Sequence, residues 1–351
     1  MLANGFAVNF GNLIGAKGPG IGVWIGFAVL ACLTVAAVIV ASVTGHLDNQ
    51  RKIAEANGLP TPSEIRAKEK AEKKAEKERR KAEKEAEKNA AKGVLVMGIV
   101  NTAPDSFSDG NDGINPVDKA LQMIDDGANI IDIGGESTRP GAEEIPLEIE
   151  IERVKNVLQQ IKKLRPSAIV SIDTRKSKCA KVTLELGADI INDVSGLTYS
   201  NDMAQTVAAF DANLVIMHSL GKGVSNIKNK YNNVADEVFD FLKQQKDYAS
   251  ACGVHADKIA IDPGLGFSKN TEDNCILLKN IKKFTSLAVV LIGASRKRFV
   301  RELAGIDSPV ASDPYSAFIA AQSALEGAKI LRVHNVRETL KILNIIDKIR
   351  S

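Results

Sequence analysis

Residues 129–142 read NIIDIGGESTRPGA, an apolar run that ends in Gly134 and Gly135 and opens into Glu136, Ser137, Thr138, Arg139 and Pro140. Glycine has no Cβ and tolerates positive φ, so a buried strand that ends in two glycines lets backbone approach a ligand closely. The polar loop that follows is expected to touch that ligand.

The arrangement recurs along the chain. Residues 94–101 lead into NTAPDSFSDG, 168–173 into Thr174 and Arg175, and Ile190 and Ile191 into Asn192 and Asp193. Residues 213–217 lead to His218, 258–261 to Asp262, Pro263 and Gly264, 287–293 to Ser295, Arg296 and Lys297, and 329–331 to Arg332 and His334. Between these eight strands lie segments of helical periodicity at 117–127, 147–164, 177–187, 235–252 and 337–349, two of which end at Gly127 and Gly187, where a left-handed cap is expected. Strands with almost no polar alternation, each followed by a helix, imply a parallel sheet covered by helices. Eight such units in about 260 residues predict an α/β fold, a (β/α)₈ TIM barrel over 93–351. In that fold the catalytic groups sit at the C-terminal ends of the strands.

Taken singly, each polar residue has a plain structural reading. An Asp or Asn after a strand caps a turn, His218 is a buried imidazole, Lys297 starts a solvated helix and DPGLG is a turn. Together they differ, because a barrel brings all eight strand ends to one mouth.

The segments MGIVNTAPDSFSDG, IIDIGGESTRPGA, VSIDT, ADIINDVSG, MHS, IDPGLGF, ASRK and RVHNV, in this order, resemble the dihydropteroate synthase family from about residue 93 to the C-terminus. The resemblance implies condensation of 6-hydroxymethyl-7,8-dihydropterin diphosphate with p-aminobenzoate to 7,8-dihydropteroate and pyrophosphate, a transferase step of folate biosynthesis. By motif position, Asp173, Asn192, Asp262 and Lys297 match the pterin site, with Asp173, Asp262 and Lys297 as the catalytic set. A carboxylate accepts paired hydrogen bonds from a ring NH and an exocyclic amine, and Asn offers a donor and an acceptor. Arg332 and His334 stand at alternate positions of one strand end, point to the same side and match the diphosphate site. Asn101 matches the family ligand of Mg²⁺, the implied cofactor, which takes its remaining ligands from phosphate and water. Phe107, Thr138, Arg139, Pro140, Phe267 and Ser295 resemble the p-aminobenzoate pocket. The first two loops are expected to order only once diphosphate and Mg²⁺ are bound, and the resemblance implies a homodimer.

Three positions depart from the family pattern: Thr102-Ala103 where an apolar residue and then Thr are usual, MHSLG where MHM and a basic residue are commoner, and Asn335 where Asp is usual. Two rival readings remain open. One is a methyltetrahydrofolate-dependent corrinoid methyltransferase on a similar barrel, disfavoured by the GGESTRPG loop. The other is a non-catalytic membrane-anchored scaffold, disfavoured by the intact polar mouth.

The first ninety residues read differently. After an N-terminal tail of residues 1–20, positions 21–43 carry no charge and are almost wholly apolar, and about 23 residues at 1.5 Å each span roughly 34 Å, a bilayer core. This predicts a transmembrane helix over 21–44, a hinge over 45–62 and a charged helical stalk over 63–92. The stalk carries twelve basic and eight acidic residues, so the chain's net charge of +3 leaves the rest near −1. Without aromatics the stalk gives no sign of nucleic-acid binding. Lys17 alone precedes the span while Arg51, Lys52 and the basic run follow it, so the expected topology is single-pass, anchored in the lipid bilayer, with the enzyme domain facing the cytoplasm. Cys32, Cys179, Cys252 and Cys275 have no paired spacing and read as reduced thiols.

Overall fold

The eight apolar segments form strands β1 Leu95–Asn101, β2 Ile130–Gly134, β3 Ile169–Asp173, β4 Ile190–Asp193, β5 Asn213–Met217, β6 Ile259–Asp262, β7 Val289–Ile292 and β8 Ile330–Val333. They close into a barrel in sequence order, each strand parallel to the next and β8 paired with β1. The computed structural model describes residues 93–103, 114–137, 143–220 and 231–350, together with residue 60 and parts of a helix among residues 64–77.

Period-two alternation sorts each strand into two faces. Met97, Ile130, Ile190, Val215, Ala260, Leu291 and Ile330 point inward and pack as an apolar plug across the barrel floor. The intervening positions, such as Val96, Ile131, Val170 and Leu331, are buried in a second core between sheet and helices. Above the plug the inward positions turn polar. Asn101, Gly134, Asp173 and Asn192 are consecutive register partners across β1 to β4, so four of the loop-bordering residues form one row.

The outer helices are α1 Pro116–Asp125, α2 Leu147–Leu164, α3 Ser177–Glu185, α4 Met203–Ala209, α5 Val234–Ala251, α6 Thr271–Lys279, α7 Ile281–Phe284, α8 Arg298–Ala304, α9 Asp313–Leu325 and α10 Val336–Arg350. In α2, Val154, Val157, Leu158 and Ile161 make the buried stripe that its periodicity predicts, and Lys162 and Lys163 lie in its last turn, where cations meet the negative end of the helix dipole. Asn115 caps α1 ahead of Pro116, and Asn270 forms a capping box with Asp273 at the start of α6.

The chain divides into two units, Met1–Glu76 and Lys77–Ser351, and the second carries the barrel. The membrane localisation expected from the sequence is corrected here: among the described residues no helix is long and apolar enough to cross a membrane. The described helical residues among 64–77 are, Glu76 apart, exposed, and all of them are charged or Ala. The tail 1–20, the span 21–44 and all of the hinge 45–62 but residue 60 lie outside the described residues.

Candidate active site

Arg332 organises the mouth. Its inward position on β8 places Nε 2.6 Å from Asp132 Oδ2 and Nη2 2.6 Å from Asp173 Oδ2, so one planar guanidinium spans carboxylates from β2 and β3. Asn192 Nδ2 donates to Asp132 Oδ2 at 3.2 Å. Burial pushes the Asp173 carboxyl up to about 7, against the opposing pull of Arg332. Gly134 keeps this corner open: a Cβ there would stand 3.5 Å from Asn101 Oδ1 and 3.9 Å from Asp173 Oδ2.

Asp262 ends β6 on the other side of the mouth. Its Oδ1 accepts from Gly264 N at 2.7 Å, and burial raises its pKa, with Lys297 opposing. Gly264 adopts φ +69 in a turn so tight that a Cβ would lie 1.9 Å from the His218 carbonyl oxygen. Lys297 lies against the same loop: its ammonium sits 4.4 Å from the centroid of the Phe267 ring, donates to the Leu265 carbonyl, and its stem packs where a Cβ on Gly266 would come within 2.8 Å. Burial lowers the Lys297 pKa to about 8, with Asp262 pulling the other way. Gly293 at the end of β7 leaves room between the two acidic corners, since a Cβ there would stand 3.8 Å from both Asp262 Oδ2 and Arg332 Cδ.

The loop of Asp262 is fixed from below by Lys269. Its ammonium donates to the carbonyls of Gly264 and Phe267, each at 3.0 Å, and lies 2.9 Å from His218 Nδ1. While Lys269 is protonated it has only donors, and Nδ1 is then the acceptor. Burial holds the His218 pKa down at about 3, and burial lowers Lys269 to about 7.

On β7 and β8 the SRK segment is built as a unit. Ser295 Oγ accepts from His334 N at 3.1 Å and sits 3.0 Å from His334 Nδ1. Arg296 takes a left-handed φ of 60, a conformation that costs a side-chain-bearing residue about 1–2 kcal/mol. A bidentate pair with Asp313 at 2.7 and 2.8 Å holds it. Asn335 donates from Nδ2 to the same Asp313 at 3.1 Å, a contact that the acceptor-only Asp of the family pattern could not make when ionised.

The GGESTRPG loop is held at both ends from the turn after β3. Lys176 Nζ meets Glu136 Oε2 at 2.7 Å, Glu150 Oε2 at 2.8 Å and the Ile145 carbonyl at 2.7 Å. Arg175 pairs with Glu136 at 2.6 Å and with Glu144 at 3.3 Å, and stacks 4.4 Å over the Tyr199 ring. Thr102 ties the first loop to the second through Gly134, its backbone N and its hydroxyl donating to that carbonyl at 2.9 and 3.1 Å. The hydroxyl displaced relative to the family pattern therefore has a structural contact.

Of the residues singled out from sequence, Asn101, Asp173, Asn192, Asp262, Lys297, Arg332 and His334 come from strand ends around one mouth, with Phe267 and Ser295 beside it. Phe107, Thr138, Arg139 and Pro140 lie outside the described residues. Sequence reasoning passed over Asp132, Lys176 and Lys269. Asp132 carried a signal: an acidic residue inside an otherwise apolar strand, two positions before Gly134 and hence on the same inward face.

A closed barrel of eight parallel strands whose mouth gathers buried carboxylates, a lysine and an arginine defines a TIM-barrel enzyme site. Residues 97–334 match the family described as pterin binding enzyme, and this chain belongs to that family. Among its relatives is the dihydropteroate synthase of Streptococcus pyogenes serotype M3, 40% identical over 260 residues that cover 72% of this chain and 95% of that protein. Two solved structures from Xanthomonas albilineans are similar: dihydropteroate synthase with 4-aminobenzoic acid, at 36% identity and TM-score 0.69, covering 74% of this chain and 93% of that one, and its complex with 7,8-dihydropteroate, at 33% identity and TM-score 0.66, covering 74% and 94%. The match takes up nearly the whole length of these relatives.

Proposed function

We propose that the mouth performs its transfer with a division of labour among strand ends. The chain is a transferase of folate biosynthesis: it condenses 6-hydroxymethyl-7,8-dihydropterin diphosphate with p-aminobenzoate to 7,8-dihydropteroate and pyrophosphate. The carbon–oxygen bond to the diphosphate breaks, a carbon–nitrogen bond to the aniline forms and one amine proton leaves. Asp173, Asn192 and Asp262 hold the donor-rich pterin edge, and Lys297, poised between Asp262 and the Phe267 ring, faces both substrates. Arg332 and His334 receive the diphosphate, where charge develops as the leaving group departs. Phe107, Thr138, Arg139, Pro140, Phe267 and Ser295 form the p-aminobenzoate side, and residues 93–351 are the catalytic domain. The observation that carries this reading is the bridge from Arg332 to Asp132 and Asp173, which puts acceptor-only groups and a guanidinium at the same corner of one mouth.

Mg²⁺ fits the first strand end. Asn101 offers a carboxamide oxygen, a hard donor of the kind Mg²⁺ takes, and Gly134 leaves the space beside it unfilled by a side chain. Asn101 would hold the ion, which when bound neutralises the diphosphate. Titration calorimetry tests the assignment: Mg²⁺ should strengthen binding of the pterin diphosphate by the parent, and Asn101→Ala should remove that enhancement while diphosphate-free pterin binds as before.

A homodimer is supported by an apolar outer face on three helices late in the chain, with Leu303 on α8, Tyr315 and Phe318 on α9, and Ile345 and Ile349 on α10 all exposed. Patches of this kind mark association surfaces. Light scattering of Phe318→Lys should show monomers where the parent shows dimers.

A further inference from the structure

Asp132 occupies the level between the apolar plug and the row of site residues, with Ile99 and Ser171 as its register partners. It is 0% exposed. A carboxylate so buried is tolerated only with partners, and those it has are two site residues: Arg332 Nε at 2.6 Å and Asn192 Nδ2 at 3.2 Å, both on Oδ2. Among the described residues, Oδ1 and the neighbouring Ser171 Oγ are buried without a hydrogen-bond partner, so the contacts this carboxylate makes there are those to the two site side chains.

Each contact dictates an orientation. An ionised carboxylate only accepts, so the arm of Asn192 facing Asp132 is the NH₂, and the carbonyl oxygen is the arm turned away from it. Arg332, held at Nε by Asp132 and at Nη2 by Asp173, has its guanidinium plane fixed along one edge. Without Asp132 the Asn192 amide would be free to present either arm.

We infer that Asp132 is a specificity-determining positioning residue: by accepting from Asn192 and Arg332 it makes the site present acceptors to a ring edge made of N–H donors, and reject an analogue that presents a carbonyl there. The inference rests on the pterin reading of the mouth. Asp132 itself touches no ligand in this account; it acts through Asn192.

The test compares two ligands on parent and Asp132→Asn protein by titration calorimetry: the pterin diphosphate, and its 2-oxo analogue in which the exocyclic amine is replaced by a carbonyl. A site built on hydrogen bonds to a donor discriminates strongly against a ligand lacking it, and the parent's preference for the amine should fall by about tenfold in Asp132→Asn, whose Asn192 amide can turn over. A loss of affinity equal for both ligands, or no loss for either, would overturn the inference, since a merely structural residue moves the two together. If Asp132→Asn does not fold, the parent carries the test. The Asn192 side-chain NH₂ should exchange with solvent at least about tenfold more slowly than an exposed amide and keep that protection with pterin diphosphate bound; free exchange in either state refutes it. Failure of the pterin reading is separable, because then neither ligand binds the parent.

Discussion

Arg332 Nη2 lies 2.6 Å from Asp173 Oδ2, and this contact opposes the burial that drives the Asp173 carboxyl up to about 7. The pair therefore sets the pH at which the pterin site becomes an acceptor. Asp173 must be ionised to accept and Lys297, lowered to about 8, must be protonated to donate. The pH profile of kcat/KM for the pterin diphosphate should be a bell with limbs near those values. Arg332→Met removes a charge that favours the carboxylate, so the acid limb should move to higher pH; an unmoved limb would detach Asp173 from it.

Lys176 donates to Glu136 and to the Ile145 carbonyl and pairs with Glu150 at 2.8 Å, contacts that flank the 138–142 segment on both sides. Lys176→Met should raise KM for p-aminobenzoate by about tenfold, the cost of roughly one charge-assisted hydrogen bond, while calorimetric binding of the pterin diphosphate stays within about twofold. Equal losses for both substrates would make Lys176 a general structural residue.

Two glycines with positive φ should respond very differently to alanine. At Gly264 a Cβ meets the His218 carbonyl at 1.9 Å, whereas at Gly187 nothing among the described residues lies within 4 Å. Denaturant melts should show Gly264→Ala losing at least about 3 kcal/mol through overlap with backbone and Gly187→Ala losing about 1 kcal/mol through its left-handed φ alone.

Lys269 gives a stability signature of defined sign. Its pKa falls from 10.5 unfolded to about 7 folded, so between those values the unfolded chain binds more protons. This lysine's contribution is thus fully present above pH 10.5 and is lost as pH falls through about 7. Urea melts at pH 7 and 9.5 should show a relative rise in the parent that is smaller in Lys269→Met; an identical pH dependence in both would mean that Lys269 is not the titrating group.

The barrel was legible because its signals are local. Apolar strands such as 129–134 and amphipathic helices such as α2 announce themselves through period and glycine placement, and strand ends of a parallel barrel converge by geometry, so Asp173, Asn192, Asp262 and Arg332 could be grouped before any distance was known. Helix α9 was missed because it buries small residues, Ser316, Ala317, Ala320 and Ala321, and so carries no stripe of large apolar side chains. The supporting contacts were hidden for another reason: Arg332 meets Asp132 across 200 positions and Lys269 meets His218 across 51, and no local pattern encodes such a pairing. The sequence placed Arg332 on the diphosphate alone, and its double grip on Asp132 and Asp173 became visible only in the closed barrel. The membrane reading came from composition alone, in a segment, 21–44, that lies outside the described residues.

This mouth joins an aromatic amine to a pterin carbon with loss of diphosphate. The most direct measurement is pyrophosphate release by the purified chain given 6-hydroxymethyl-7,8-dihydropterin diphosphate, Mg²⁺ and p-aminobenzoate, with 7,8-dihydropteroate followed in parallel. Release should depend on the amine, match dihydropteroate mole for mole, and fall by at least about a hundredfold in Asp262→Asn, which presents donors to the pterin's own donors. Release without the amine, or an Asp262→Asn protein as active as the parent, would contradict the account.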